Sequence, residues 1–141
     1  MSAKGFPVTG LLRVSIIKGF TMIELMMVMF ILSVLAAVAL PQYKNAVTAS
    51  KEAVLRENLF RFRDLIDQYQ ADKGKYPATL EALVEDGYLR KMPIDPITGA
   101  ADWQTVFAEL DPDNPGDPPG VYDVKSASPA TSLGGTPYAE W

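Results

Sequence analysis

The stretch Lys18-Gly19-Phe20-Thr21-Met22-Ile23-Glu24 opens an apolar run that continues to Leu40. Across these 21 residues, 20–40, Glu24 is the only charged side chain. As an α-helix, such a run is about 31 Å long, which matches the ~30 Å hydrocarbon core of a bilayer. The sequence therefore predicts a helix over residues 20–42 that spans a membrane and carries one carboxylate inside it.

The position of that carboxylate points to a role. An ionisable side chain within a membrane span is costly, and its presence suggests a function by default. One interpretation is a plain signal anchor in which the Glu24 side chain extends to the membrane interface. The others are that Glu24 meets only its own N-terminus, or that it is protonated in lipid.

The distribution of charge predicts how the helix is oriented. Residues 1–19 contain three basic residues, Lys4, Arg13 and Lys18, and no acidic residue. The rest of the chain contains 10 basic and 17 acidic residues. By the positive-inside rule, we expect a cytoplasmic N-terminus and an acidic domain, residues 43–141, on the far side of the membrane. An acidic domain also argues against binding of nucleic acid, which requires a basic surface.

The absence of two residue types narrows the possible functions. The chain contains no cysteine and no histidine. Disulfides, thiolate or imidazole nucleophiles and the usual zinc ligands are thereby excluded. About 100 residues follow the span, enough for one small domain. These features predict a structural protein rather than an enzyme.

Helical periodicity continues beyond the apolar run. Apolar residues recur at spacings of three, four and seven, which predicts a helix with one face against a globular domain. That face comprises Val47, Val54, Leu55, Leu59, Phe62, Leu65, Ile66 and Tyr69. The i,i+4 pairs Glu52/Arg56 and Glu57/Arg61 are expected on the opposite, solvated face. Gly74 is the expected end of the helix.

The C-terminal third of the chain is rich in proline, with eight of the 11 prolines in residues 93–137. Such a region forms short strands and fixed loops rather than helices. Residues 103–110 and 120–125 are the candidate strands, because Val, Trp, Phe and Tyr supply apolar bulk there.

Between the long helix and this region, Thr79 is the expected N-cap of a short helix that ends at Asp86-Gly87. Tyr138 and Trp141 are expected to pack on the domain. The sequence therefore predicts an α+β fold. A long N-terminal helix, with its first half in the membrane, precedes a short helix and two or three antiparallel strands.

The Gly19-Phe20 junction, with Glu24 four residues later and Pro41 near the end of the span, resembles the N-terminus of type IV prepilins and type II secretion prepseudopilins. The resemblance implies that residues 1–19 are a leader, that a prepilin peptidase cuts after Gly19 and that Phe20 is then N-methylated. It also implies that Glu24 pairs with the amine of Phe20 on a neighbouring subunit. Pro41 either contributes to assembly or simply bends the helix.

A narrower resemblance is to the major (G-type) pseudopilin of type II secretion systems. The residues that carry it are Gly74-Lys75-Tyr76-Pro77, Thr79-Leu80-Glu81-Ala82-Leu83, Pro93-Ile94-Asp95-Pro96 and Gly120-Val121-Tyr122-Asp123-Val124-Lys125-Ser126. Type IVa pilins usually close a C-terminal loop with a disulfide, so the lack of cysteine favours a pseudopilin.

The pseudopilin resemblance implies a homopolymer held together by its N-terminal helices and anchored in the bacterial inner membrane before assembly. An inner-membrane assembly platform with its ATPase, and minor pseudopilins, would build it into a periplasmic filament that drives protein export. The alternatives are a major pilin of a surface type IV pilus, for adhesion or motility, and a minor subunit at the filament tip.

Four aspartates raise the question of a metal site. Asp111, Asp113 and Asp117 lie within seven residues, and Asp123 follows closely. Oxygen ligands of this kind suit Ca²⁺, and the resemblance to G-type pseudopilins implies a calcium site in a C-terminal loop. The stretch 132–136, however, has no carboxylate where that family would place one. A solvated turn is the alternative interpretation of the aspartates, and no other cofactor is expected.

Overall fold

The computed structural model describes residues 1–5, 19–110, 112 and 115–141. Two helices come first, α1 (Met22–Lys73) and α2 (Glu81–Glu85). Two strands follow, β1 (Gln104–Phe107) and β2 (Val121–Lys125), and a 3₁₀ helix spans Tyr138–Glu140. The predicted α+β fold is confirmed. The chain divides into two compact units, Met1–Ala39 and Leu40–Trp141.

Helix α1 is 52 residues long and includes Pro41. It ends where predicted, because Gly74 has a φ of +71° and its N–H donates to the carbonyl of Gln70 at 2.8 Å. A left-handed residue that satisfies a terminal carbonyl in this way is the usual glycine stop. Among the described residues, α1 is the one helix long and apolar enough to cross a bilayer.

The second half of α1 buries one face at alternating spacings of three and four. The buried residues are Glu52, Leu55, Leu59, Phe62, Ile66 and Tyr69. The predicted face is therefore confirmed from Leu55 to Tyr69, but the inclusion of Val47 and Val54 was wrong because both are exposed. Val54 lies one residue before Leu55, which rotates it about 100° around the helix. The expected exposure of Glu52 was also wrong, because this residue begins the buried face.

The core of the second unit is completed by residues that lie far from α1 in the sequence. They are Leu80, Leu83, Val121, Val124 and Tyr138. Trp103 packs edge-on against Phe62 with 5.0 Å between ring centroids, and its indole N–H donates to the carbonyl of Pro93 at 2.9 Å. The first strand is shorter than the predicted residues 103–110, because Trp103 lies just before it and residues 108–110 follow it outside the strand.

Helix α2 begins differently from the prediction. Its N-cap is Leu80, which has helical dihedral angles and makes no capping hydrogen bond, so the assignment of Thr79 as the cap was wrong. Leu80 is buried in the core, and its packing rather than a capping side chain sets the start of the helix. The predicted end is confirmed, since Asp86 is the C-cap and Gly87 has a φ of +83°.

Strands β1 and β2 form a two-stranded antiparallel sheet. The register shifts between Val106 and Phe107, and the N–H of Ala108 donates to the carbonyl of Gly120 at 2.9 Å. Gly120 is pressed against the chain before α2, since a Cβ on it would lie 2.5 Å from the Cβ of Tyr76. The close approach of these two backbones therefore requires glycine at this position.

Candidate processing and assembly site

The Gly19–Phe20 peptide bond lies outside any helix. Both residues are exposed, and α1 begins two residues after Phe20, at Met22. Apart from Gly19 and its two chain neighbours, no heavy atom of the described residues lies within 4 Å of the place where a Cβ on Gly19 would stand. A non-helical, exposed junction is accessible to a peptidase. Cleavage after Gly19 stays a prediction.

Glu24 caps the start of its own helix. Its N–H donates to the hydroxyl of Thr21 at 3.1 Å, and its Oε2 accepts from the N–H of Thr21 at 3.5 Å. This reciprocal arrangement is a capping box, in which two otherwise unpaired N–H groups of a helix start find partners. Of the interpretations of Glu24, the structure places its carboxylate at its own helix start. The pairing with Phe20 of another subunit stays a prediction.

Thr21 is the residue that the sequence reasoning missed at this site. It is the last residue before α1 and supplies the capping hydroxyl. A threonine followed three residues later by glutamate, just before an apolar run, is a known signature of a helix start. Thr21 and Glu24 were therefore identifiable as a pair from their spacing.

The apolar half of α1 leaves its large side chains uncovered. Met22, Phe30 and Leu40 are examples, and none of the most apolar 18-residue window is buried. The Ser33 hydroxyl is hydrogen-bonded within the helix, because it donates to the carbonyl of Met29 at 2.7 Å. A helix with no unpaired polar group at its centre and an apolar surface is suited to lipid or to other helices.

The predicted calcium ligands fall in two groups. Asp111 and Asp113 lie outside the described residues, and Asp117 is exposed. The Oδ1 of Asp123 accepts from Arg63 Nε at 2.8 Å and from the N–H of Val124, so this oxygen already has two donors. Among the described residues, no three His, Cys, Asp or Glu side chains are grouped to hold a metal ion. Calcium binding by the aspartate loop stays a prediction.

One ion pair and one hydrogen bond hold the C-terminal end of α1. Lys73 Nζ donates to Asp86 Oδ2 at 2.8 Å, and this hydrogen bond raises the pKa of Lys73 and lowers the pKa of the Asp86 carboxyl. The hydroxyl of Tyr88 donates to Asp72 at 2.8 Å, which raises the pKa of that hydroxyl. These contacts join α1 to α2 and to the turn that follows α2.

Among the described residues of the second unit, two carboxylates are buried, and the sequence reasoning assigned a site role to neither. Glu52 is 5% exposed and Asp95 is fully buried. Both accept hydrogen bonds from residues near the C-terminus of the chain. No sequence signal marked Glu52, because its i,i+4 spacing to Arg56 is typical of a solvated ion pair.

Comparison with known proteins agrees with the N-terminal site. A family model described as the prokaryotic N-terminal methylation motif matches residues 15–40. The type II secretion system core protein G of Pseudomonas aeruginosa is 37% identical over 95 residues, which cover 56% of this chain and 67% of that protein. No solved structure matches the chain at a significant level.

Two further relatives extend the comparison. The type II secretion system core protein G of Escherichia coli (strain K12) is 31% identical over 134 residues, 83% of this chain and 85% of that protein. The fimbrial protein EcpC of Eikenella corrodens is 41% identical over 61 residues, 43% of this chain and 40% of that protein.

A long apolar helix behind an exposed Gly-Phe junction, followed by a short helix and a two-stranded sheet, defines a pilin-like protein with a prepilin-type N-terminus. The similarity to core protein G extends over 85% of the Escherichia coli protein. The chain therefore belongs to the family of the type II secretion system core protein G, and the resemblance to G-type pseudopilins is confirmed.

Proposed function

We propose that this protein is the major pseudopilin of a type II secretion system. Its role is structural rather than catalytic: it is a filament subunit that polymerises in the periplasm and thereby drives protein export. The proposal is supported by membership of the core protein G family. The observation that carries it is the exposed Gly19–Phe20 junction, placed just before an apolar helix whose carboxylate, Glu24, lies in its first turn.

Before assembly, the protein is anchored in the inner membrane by the first half of α1. A prepilin peptidase removes residues 1–19, and the new amine of Phe20 is methylated. The basic flank before the helix and the acidic domain after it support a cytoplasmic N-terminus and a periplasmic domain. The apolar side chains that α1 exposes, and that lipid covers at this stage, supply the surface for polymerisation.

In the filament, the apolar halves of neighbouring helices bury one another. A charge in that environment needs a partner, and Glu24 pairs with the ammonium group of Phe20 on an adjacent subunit. Such a buried pair sets the register of subunits more than it adds net stability. Pro41 contributes to the same helix packing. The inner-membrane platform, its ATPase and minor pseudopilins act as assembly partners.

Mass spectrometry of the protein from the membrane fraction tests the processing step. The expected result is a chain that begins at Phe20 and carries one additional methyl group. A chain that retains residues 1–19 would contradict the proposal, because no filament subunit would be formed. Substitution of Gly19 by a bulky residue should leave the leader attached, whereas the matched change at Gly5 should not.

A second experiment separates a pseudopilin from a surface pilin. The observation that favours a surface pilin is the similarity to EcpC, a fimbrial protein, which covers 43% of this chain. Production of this protein in a bacterium that lacks its own core protein G should restore secretion of exoproteins. Restoration of surface pili in a pilin-deficient strain, without secretion, would favour the type IV pilin instead.

A further inference from the structure

The last 16 residues, 126–141, form a C-terminal segment that is held by side chains from elsewhere in the domain. From Ser126 to Ala139 the segment contains no aspartate or glutamate but five serines and threonines. It is nevertheless well fastened: Ser126, Ser128, Ser132 and Tyr138 are all buried. The contacts that fasten it start from the two buried carboxylates.

Glu52 of α1 fastens the middle of the segment. Its Oε1 accepts from the backbone N–H of Leu133 at 2.7 Å and from the hydroxyl of Tyr138 at 2.9 Å. The nearest cation, Arg56, is 3.9 Å from the other carboxylate oxygen and is largely exposed. The closest partners of this buried carboxylate are therefore the donors of the C-terminal segment.

Asp95 fastens the start of the segment. Its Oδ2 accepts from the hydroxyl of Ser126 at 2.5 Å, and its Oδ1 accepts from the N–H of Ile97 at 2.7 Å. The hydroxyl oxygen of Ser126 in turn accepts from the N–H of Ser128 at 3.2 Å. The Ser128 oxygen accepts from the N–H of Ala130, also at 3.2 Å. A chain of hydrogen bonds thus leads from one buried carboxylate into the segment.

The turn from Ser132 to Thr136 is closed by hydrogen bonds between its two end residues. The backbone N–H of Ser132 donates to the carbonyl of Thr136 at 2.8 Å, and the two side-chain oxygens lie 2.9 Å apart. The Thr136 hydroxyl also accepts from the indole N–H of Trp141 at 3.0 Å, and the Arg56 guanidinium lies 4.4 Å from the centre of the Trp141 ring. The turn is therefore bound on both sides by direct contacts.

We infer that hydrogen bonds to these two buried carboxylates, rather than a bound cation, hold the C-terminal segment in place, and that this segment folds without calcium. A calcium loop directs six to eight oxygens, many of them carboxylate oxygens, towards one ion. Here the segment supplies hydroxyl and N–H donors, and the carboxylates come from Glu52 and Asp95. Among the described residues, every buried side-chain nitrogen and oxygen has a hydrogen-bond partner, so none of them requires an ion as a partner. The side chains of this segment therefore do not fit the calcium site that family resemblance implies for it, because they include no carboxylate between Ser126 and Ala139.

Hydrogen-exchange mass spectrometry on the processed, detergent-solubilised protein tests the inference. Exchange of amides in residues 127–141 is compared in EGTA and in about 5 mM CaCl₂, which fills about five-sixths of even a weak site with Kd of ~10⁻³ M. Such a site would slow exchange about sixfold. We expect the exchange rates of residues 127–141 to differ by less than about twofold between EGTA and CaCl₂. Slowing by about twofold or more in residues 127–141 would overturn the inference, whereas slowing confined to residues 108–120 would place calcium on the aspartate loop and leave the inference standing.

Variants test the part assigned to the carboxylate. Glu52→Ala leaves the buried Tyr138 hydroxyl and the part-buried Leu133 N–H without their acceptor, so exchange in residues 127–141 should quicken about tenfold or more. Glu57→Ala is the matched control, because it makes the same change in α1 at an exposed ion pair with Arg61. Glu52→Gln retains an acceptor oxygen and should restore most of the protection. Equal exchange in the Glu52→Ala and Glu57→Ala variants would overturn the assignment.

Tyr138→Phe provides a milder variant if Glu52→Ala fails to fold. It removes one of the two hydrogen bonds to Glu52 and retains the ring, so it should quicken exchange in residues 127–141 and leave residues 59–69 unchanged. Unchanged exchange in residues 127–141 would contradict the inference. None of these measurements depends on filament assembly, so their failure would not bear on the proposed function.

Discussion

The Tyr138 hydroxyl and the Glu52 carboxylate are 2.9 Å apart, although 86 positions separate the two residues in the sequence. Burial and this hydrogen bond raise the pKa of Tyr138 above its ordinary value near 10. The contact therefore links the end of the chain to α1 and makes the link sensitive to alkaline pH.

Stability should fall at alkaline pH through this contact. In the unfolded chain Tyr138 loses its proton near pH 10, but in the folded protein it keeps the proton to a higher pH. Its contribution is thus fully present below about pH 10 and is lost as pH rises through the folded pKa, with a slope of at most about 1.4 kcal/mol per pH unit. Urea unfolding from neutral to alkaline pH should show a shallower decline for Tyr138→Phe. Parallel declines would contradict the prediction.

The second unit should fold when it is separated from the membrane span. We expect residues 44–141 to form a soluble monomer, because the fragment retains the whole buried core and omits the apolar half of α1. Circular dichroism and analytical ultracentrifugation would measure this. A fragment that lacks a cooperative unfolding transition would show that the boundary near residue 43 is misplaced.

Two phenylalanines in α1 offer a matched pair in that fragment. Phe62 is 1% exposed and packs against Trp103, whereas Phe60 is 68% exposed. Phe62→Ala should lower the free energy of unfolding by about 3–5 kcal/mol, the usual cost of such a deletion in a core. Phe60→Ala should change it by about 0.5 kcal/mol or less. Chemical denaturation gives both values, and similar losses would contradict the assigned helix face.

Gly120 should tolerate no side chain. A Cβ there would meet both the Cβ and the carbonyl oxygen of Tyr76 at less than 3 Å, so the two backbones would have to separate. Gly120→Ala is expected to destabilise the fragment by about 1–3 kcal/mol or more, as overpacking does. Gly134→Ala is the control, because its new methyl group would meet only the Ser132 hydroxyl, at 3.7 Å. Equal Tm values for the two variants would refute the close approach.

Substitutions of Glu24 separate helix capping from charge pairing. Glu24→Gln can retain the capping box with Thr21 but removes the charge, whereas Glu24→Ala removes both. If the charge pairs with Phe20 of a neighbour, both variants should be cleaved normally. Both should form at most about one-tenth of the normal amount of filament, because a tenfold loss corresponds to ~1.4 kcal/mol. Mass spectrometry and filament pelleting would measure these steps. Filaments from Glu24→Gln at the normal level would leave capping as the only role of this residue.

The features that could be predicted from sequence are those determined by neighbours along the chain. The glycine stop at Gly74, the face from Leu55 to Tyr69 and the end of α2 at Gly87 all follow from local spacing and backbone preference. The processing junction was proposed from local sequence for the same reason, since its recognition elements lie within a few residues, and cleavage there stays a prediction.

The features that were mispredicted depend on contacts between distant parts of the chain. Glu52 has the local signature of a solvated ion pair, but its partners are 81 and 86 residues away. Thr79 is a better capping residue than Leu80, yet the burial of Leu80 determines where α2 begins. Trp103 lies just before the first strand and packs on Phe62, which is distant in the sequence. Local preference could not reveal any of these outcomes.

The alternating three- and four-residue spacing that starts at Glu52 also limits which insertions and deletions this helix can tolerate. One residue inserted between Glu52 and Leu55 would turn the carboxylate about 100° away from the C-terminal segment. Seven inserted residues would return it to nearly the same face but displace it by about 10.5 Å along the helix. The distance from Glu52 to Tyr69 is therefore constrained to a fixed number of residues by the domain core, separately from the limit that the bilayer thickness sets on the first half of α1.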